Sequence, residues 1–509
     1  MPAIALRCRI CQTEHELGPL AVCTRDFGPL DPVYDWEALR RRVTRESIEN
    51  GPLSNWRYAE LLPVEAPAEP RLALGFTPLM PAPRLASALG LRELVRIEAH
   101  EANEATPLLS DGAVTAALAA AAAFARERRA AVLAANAADY EAAATRLDPG
   151  ALDRLLLDEG RVETIAEQLE TMAAIPPLER EVEAWKLENG LTVSERRIPI
   201  GTVGANFEAR PNVALDIAAQ LLKSLNTSIL RTGAAALRTV TTLVDDVLRP
   251  ALERAGLPAG AVGLVRSSDR EGARVLVSLP REIPLVILRG SGETTAALAR
   301  IAAEHGVRTL AHAEGGGVLY VHGSADRDRL LAIAEASLDR LGVCNRLNLC
   351  LIDRQALRLL PDLLSLFDRL GLEVRGTARA RSAGNGALLP LDTRLGHEWA
   401  NDADRVATVT LDVVDDLDEA VRIANGETSG LAAAVVAEDG AEAGRFLDGY
   451  RGTAAFWQAP TRFVDGYALT GAPETGINVD WTPGPRGPVT YRDLWLRQYR
   501  VVGDGTQHR

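Results

Sequence analysis

The alternation of short apolar runs with helical stretches between residues 198 and 310 limits the fold more than any other feature of the chain. Strand-like runs fall at 198–207, 227–230, 261–265, 285–288 and 309–310, and stretches of helical character lie at 212–225 and 237–255. Strands interleaved with helices predict a parallel sheet with crossover helices. Upstream, residues 112–157 are alanine-rich with Leu, Val and Phe at helical spacing and an LDPG break, which predicts helices. Residues 182–196 alternate around Asn189-Gly190 and predict a β-hairpin. The fold class is α/β.

Composition narrows the partners. Hydrophobic residues make up 47% and charged residues 25%, an ordinary globular mix. Acidic residues (69) outnumber basic ones (56), for a net charge of −13, which argues against nucleic acid or an anionic membrane as the main partner. No run reaches the ~20 apolar residues that a membrane span needs. The opening MPAIALRCRIC lacks the apolar core of a signal peptide, so a cytoplasmic location is expected. Five cysteines in 509 residues make no disulfide framework. Only Lys186 and Lys223 are lysines, so any lysine chemistry must use one of the two.

The cysteines divide the chain. Cys8-x2-Cys11 followed by Cys23 has the spacing of a zinc knuckle, with Asp26 where a fourth thiolate would stand. Either a structural zinc or a ribbon that has lost its metal fits this pattern. The run from YDWEALRRR through GFTPL to NEATPLLSDGAV resembles the N-terminal segment of threonine synthases. That resemblance implies a strand leading to a loop whose lysine carries pyridoxal phosphate. The loop here, residues 103–114, contains no lysine, which excludes pyridoxal phosphate. Residues 1–110 are expected to form a docking or oligomerisation module.

The remainder resembles γ-glutamyl phosphate reductase, a branch of the aldehyde dehydrogenase superfamily. The matching segments occur in family order: PIGTVGANFEARPNV, LLKSLNTSILRTG, VILRGS, HAEGGGVLYV, LGVCNRLNLCLI, APTRFVDG and GPRGP. The resemblance implies a Rossmann-type cofactor domain at 111–312 plus about 430–480. It implies a catalytic domain at 313–429, and oligomerisation strands at 182–196 and 489–502 that pair subunits into a homodimer or larger assembly.

The resemblance also implies site roles. Cys344 aligns with the nucleophile that forms a thioester with an acyl phosphate before nicotinamide reduces it. Asn212 is expected to supply an oxyanion amide, although an N-cap role suits it equally. Arg210, Asn345, Arg462 and Glu474 are expected at the substrate. Lys223, Arg231, Thr232, Gly233, Arg289, Gly290 and Ser291 are expected at the cofactor; Arg231 is compatible with NADP without deciding it against NAD.

Several segments depart from the family: LNLCLI has Asn348 where a glutamate is usual, and the STQK stretch near Glu474 is lost. The reaction type therefore carries over better than the substrate. Three functions stand. The first is NADPH-dependent reduction of an amino-acid acyl phosphate to a semialdehyde, fed by a partner kinase or carrier. The second is oxidation of an aldehyde to an acid, with Glu314 activating water. The third is a non-catalytic scaffold.

Overall fold

The computed structural model describes all residues except 1, 19, 53, 65–82, 148, 291, 313, 385, 403, 481–483 and 508–509, together with the backbone alone at 83–89, 149, 312 and 401. The GFTPL stretch and Ser291 lie outside the described residues. Two compact units form, Met1–Leu85 and Ala86–Arg509.

The first unit carries a small antiparallel sheet in the order β2-β1-β3. Its strands are β1 (Ala3–Cys8), β2 (Glu14–His15) and β3 (Leu30–Tyr34).

The second unit begins within helix α1 (Pro83–Ala105). The resemblance to threonine synthases implied a strand here and a module boundary at 110, and both are corrected. Leu91, Val95, Ala99 and Ala102 are buried at helical spacing. The last three share a buried cluster with Ile229, Val265, Leu276, Ile283, Val286 and Leu288, which lie in or beside the strands of a five-stranded sheet. Glu98 Oε2 accepts from Arg249 Nη2 at 2.9 Å and from the Leu264 backbone N–H at 3.1 Å. Asn103 Nδ2 donates to the Glu282 carbonyl at 2.9 Å. Residues 86–110 thus belong to the larger unit. The lysine-free loop is a turn between α1 and α2 (Asp111–Glu127), whose N-cap Ser110 accepts from Ala113 N–H.

After α3 (Glu159–Ala174) the hairpin β4 (Glu181–Lys186) and β5 (Thr192–Pro199) appears where the sequence placed it. The predicted strand at 198–207 is two strands. Gly201 takes φ +116, and Asn226 Oδ1 accepts from the N–H groups of Ile200 and Gly201 at 2.7 and 3.0 Å. This braced turn lets the chain leave one sheet and enter another.

The five-stranded parallel sheet runs β10-β9-β6-β7-β8. Its strands are β6 (Thr202–Phe207), β7 (Thr227–Thr232), β8 (Val262–Leu264), β9 (Leu285–Arg289) and β10 (Arg308–His312), and α4 (Pro211–Lys223) connects β6 to β7. Every residue of β6 and β7 is buried, as helices on both faces of a parallel sheet require. The helix predicted over 237–255 passes through a π turn at Leu243–Leu248, just before Pro250. Proline lacks the N–H for the usual bond, and the wider turn absorbs the gap.

The second sheet has seven strands in the order β14-β13-β15-β12-β11-β16-β17. They are β11 (Gly317–Val321), β12 (Leu347–Asp353), β13 (Glu373–Gly376), β14 (Leu389–Pro390), β15 (Thr408–Val414), β16 (Ala432–Val436) and β17 (Ala454–Trp457). The sequence-based division gave residues after 430 to the cofactor domain. That is corrected: β16 pairs with β11 in parallel and β17 with β16, so the seven-stranded sheet extends to Trp457. Only the later hairpin of β18 (Gly476–Asn478) and β19 (Gly487–Val489) returns toward β9 and β10.

The chain closes with β20 (Trp495–Val502), which pairs with β5 to complete a three-stranded sheet. Val489, expected in this strand, belongs to β19 instead. Trp185 and Tyr499 meet edge to face at 6.1 Å on the outer strands β4 and β20.

Candidate active site

The site begins with three consecutive glycines. Gly316 N–H donates to the Cys344 carbonyl at 2.6 Å, and Gly317 N–H to the Arg346 carbonyl at 2.7 Å. A Cβ on Gly315 would lie 2.5 Å from both Cys344 Cβ and Glu398 Oε1, so only glycine fits. Glu398 Oε2 in turn accepts from Gly315 N–H at 2.8 Å. On the other side, the buried Arg346 guanidinium donates to the carbonyls of Val406 and Thr408. The loop carrying Cys344 is therefore fixed from both flanks.

Cys344 opens into a cavity of about 870 Å³. The cavity wall includes Arg210, Arg289, Gly290, Asn345, Arg462 and Glu474, all expected from the sequence. It also includes Glu398, Arg154, Arg340 and Asp402, which no sequence motif marked. Burial pushes the Cys344 thiol up to about 11; Glu398 adds to the rise, while Arg210 and Arg289 pull against it. In the free protein the sulfur is thus a protonated thiol at neutral pH.

This makes a pH prediction. Alkylation of Cys344 by iodoacetamide should climb about tenfold per pH unit between 7 and 10, because only the thiolate reacts. Glu398→Gln, which removes the adjacent negative charge, should raise the rate severalfold at pH 8. A rate that levels off near pH 8.5 in the wild type would contradict the buried-thiol geometry.

Asn345 and Arg462 line the cavity but hold each other. Asn345 Nδ2 donates to the carbonyls of Arg462 and Val464 at 3.0 and 3.3 Å, and its Oδ1 accepts from Arg462 Nη1. Arg462 Nε also donates to Asp339 at 2.6 Å. Glu474 Oε2 accepts from Gly466 N–H at 2.9 Å, and its Oε1 sits 3.9 Å from Arg289 Nη2. Arg289 Nη1 donates to the Thr475 carbonyl at 3.2 Å. Arg289, expected at the cofactor, stands on the wall of the cysteine cavity.

Asn212 sits in the first turn of α4, between Arg210 and Val213, which line the cavity. Its Nδ2 donates to Asp216 Oδ2 at 3.2 Å. Burial pushes the Asp216 carboxyl up to about 7, against the pull of Arg289. Asp216 lies one helical turn beyond Asn212, a spacing that could have marked it.

At the ends of β6 and β7 the turns brace each other. Gly233 N–H donates to the Phe207 carbonyl at 3.0 Å, and a Cβ on Gly233 would lie 3.1 Å from Ala209 N. Thr232 Oγ1 donates to the Glu208 carbonyl at 3.4 Å. Arg231 is buried, donating to Asn206 Oδ1 at 3.3 Å and to the Asp269 carbonyl at 3.2 Å. Lys223 does not join them, and its expected cofactor role is corrected. It lies at the C-terminal end of α4, hence at the opposite edge of the sheet from these turns. Its Nζ donates to the Ala173 carbonyl at 3.3 Å and to Thr115 Oγ1 at 3.5 Å, under α2 and α3.

Glu314 is half-exposed and ion-paired with Arg394, so Gly315 rather than Glu314 faces Cys344. Cys350 is buried in β12.

In the first unit, Cys8, Cys11, Cys23 and Asp26 present ligand atoms that all lie within 4.8 Å of one another. Cys8 Sγ lies 3.3 Å from Asp26 Oδ1, and Cys11 Sγ 3.6 Å from Cys23 Sγ. The N–H groups of Ile10 and Arg25 donate to Cys8 and Cys23 sulfur, as in paired knuckles. His15 Nε2, unmarked by the sequence, lies 3.3 Å from Cys23 Sγ.

The aldehyde dehydrogenase family model matches residues 98–356. The γ-glutamyl phosphate reductase of Paramagnetospirillum magneticum is 34% identical over 379 residues, covering 74% of this chain and 87% of that protein. The reductase of Rhodospirillum rubrum is 33% identical over 414 residues, covering 80% and 94%. The crystal structure of γ-glutamyl phosphate reductase from Thermotoga maritima superposes with a TM-score of 0.76 at 26% identity, over 82% of this chain and 100% of that one. An acetylating aldehyde dehydrogenase from Geobacillus thermoglucosidasius, at 13% identity and a TM-score of 0.59, shares the fold. The family match begins inside α1, in keeping with that helix being part of the larger unit. Identity sustained along nearly the full length of two reductases settles the placement: the chain belongs to the aldehyde dehydrogenase family of NAD(P)-dependent oxidoreductases, alongside the γ-glutamyl phosphate reductases.

Proposed function

We propose that the protein reduces an amino-acid acyl phosphate, γ-glutamyl phosphate or a close analogue, to the semialdehyde through a thioester on Cys344. The observation that carries this is the setting of Cys344, recessed in a cavity with Arg210 and Arg289 on its wall. The runner-up, oxidation to an acid, needs a base to deliver water, and the glutamate expected for that task is held outward by Arg394. The dinucleotide supplies hydride when bound. The glycine turns at Gly233 and Gly290 support its approach at the ends of β7 and β9, and Arg231 with Arg270 nearby supports NADP over NAD. Cys344 takes the acyl group, and the amide of Asn212, oriented by Asp216, supports the oxyanion. The reading is tested by running the reaction backwards with glutamate semialdehyde, NADP⁺ and phosphate. NADPH should form only when phosphate is present.

The first unit is read as a structural zinc module that docks a partner kinase or carrier. Three thiols and a carboxylate suit zinc. Elemental analysis of the purified full chain should find about one zinc per chain, retained on dialysis and lost in Cys8→Ser and Cys11→Ser. Semialdehyde turnover should be unchanged in both variants. Absence of zinc from protein produced in zinc-supplemented medium would remove the metal from this reading.

A further inference from the structure

The cavity holds two guanidinium groups that the fold does not fully engage. Arg210 stands at the start of α4, and its buried Nε, 3.4 Å from Glu208 Oε2, makes no hydrogen bond. Arg289 ends β9, and its nearest carboxylate, Glu474, is 3.9 Å away. The two repel one another, Arg154 adds to the repulsion on Arg210, and both Arg210 and Arg289 act on the Cys344 sulfur. Like charges collected beside a nucleophile are costly unless an anion comes to lie between them.

We propose that Arg210 and Arg289 form the subsite that receives the phosphoryl group of the acyl phosphate and holds inorganic phosphate as it leaves. The inference rests on the acyl phosphate reading above. Planar guanidinium forks converging from two different elements match the oxygens of a dianion, where a single carboxylate needs only one of them. The step balances without an added base. The Cys344 sulfur bonds to the acyl carbon, and the bond from that carbon to the phosphoryl oxygen breaks with its electron pair on oxygen. The proton released from the thiol passes to the departing phosphate. No oxidation or reduction occurs until hydride arrives.

The test uses the full chain in the reverse direction, with Arg210→Gln, Arg289→Gln and the corresponding lysine variants. The KM for phosphate should rise tenfold or more in each glutamine variant and recover in part with lysine. The KM values for semialdehyde and NADP⁺ should stay within about twofold. Independently of turnover, millimolar phosphate should slow iodoacetamide alkylation of Cys344 in the wild type and not in the glutamine variants. An unchanged phosphate KM alongside persisting phosphate dependence overturns the subsite and leaves the reaction standing. A rise confined to the semialdehyde KM overturns it as well, since the arginines would then grip the substrate's own carboxylate. Phosphate-independent NADPH formation by the wild type overturns the acyl phosphate reading itself. Should the glutamine variants fail to fold, the lysine variants and the alkylation assay decide the matter.

Discussion

Cys344→Ala should lower phosphate-dependent NADPH formation by about four orders of magnitude or more, because removing a covalent nucleophile removes the reaction path rather than weakening it. The loss should be in kcat. Folding should be little affected, since the side chain opens into the cavity and the loop is held by backbone bonds from Gly316 and Gly317. The thermal midpoint should stay within a few degrees of the wild type. No second thiol can take over: Cys350 is sealed in β12, where burial pushes its thiol up to about 12. Residual turnover above a few per cent would mean that Cys344 does not carry the acyl group, and the scaffold reading would then return.

Truncation at two neighbouring points should give opposite results. Deleting residues 1–85 should leave a folded reductase with turnover within about twofold. Deleting residues 1–110 should yield insoluble or unfolded protein. The second cut removes α1 and uncovers Ile229, Val265, Leu276, Ile283, Val286 and Leu288. At about 1.5–3 kcal/mol for each large side chain returned to water, the loss is comparable to the whole of a typical domain stability of about 5–15 kcal/mol. It also leaves Arg249 without Glu98. Circular dichroism and semialdehyde turnover of the two truncations distinguish the outcomes. A soluble, active chain beginning at 111 would show that α1 is dispensable. If the 1–85 deletion also leaves association with the partner kinase or carrier unchanged, the docking reading of the first unit fails.

The alternation of strands and helices was legible because parallel strands covered on both sides read as apolar runs, and β6 and β7 are buried along their whole length. Cys344 was singled out through its neighbours, not through itself; a lone cysteine has no pattern. Three errors have physical causes. Leu91, Val95, Ala99 and Ala102 have helical spacing, yet a resemblance to another family imposed a strand on them. Lys223 shares a motif with Arg231, but it precedes β7 while Arg231 stands near that strand's far end, so the length of β7 separates them. Glu398 could not have been found, because it meets Gly315 across a gap of 83 residues and no local pattern encodes that encounter. The proximity of Cys8, Cys11, Cys23 and Asp26 was the reverse case: their spacing in the chain is short enough to be read directly.

The two walls of the cavity are anchored unequally. Cys344 hangs by backbone bonds from the edge of β11, a strand inside a seven-stranded sheet. Elsewhere on the wall, Arg340 is exposed and Arg154 belongs to a short helix, Pro149–Leu155. The fold thus fixes the cysteine while leaving other parts of the wall to replaceable surface positions. Changes at those outer positions alone can therefore reshape the cavity while the Cys344 sulfur stays where the sheet holds it.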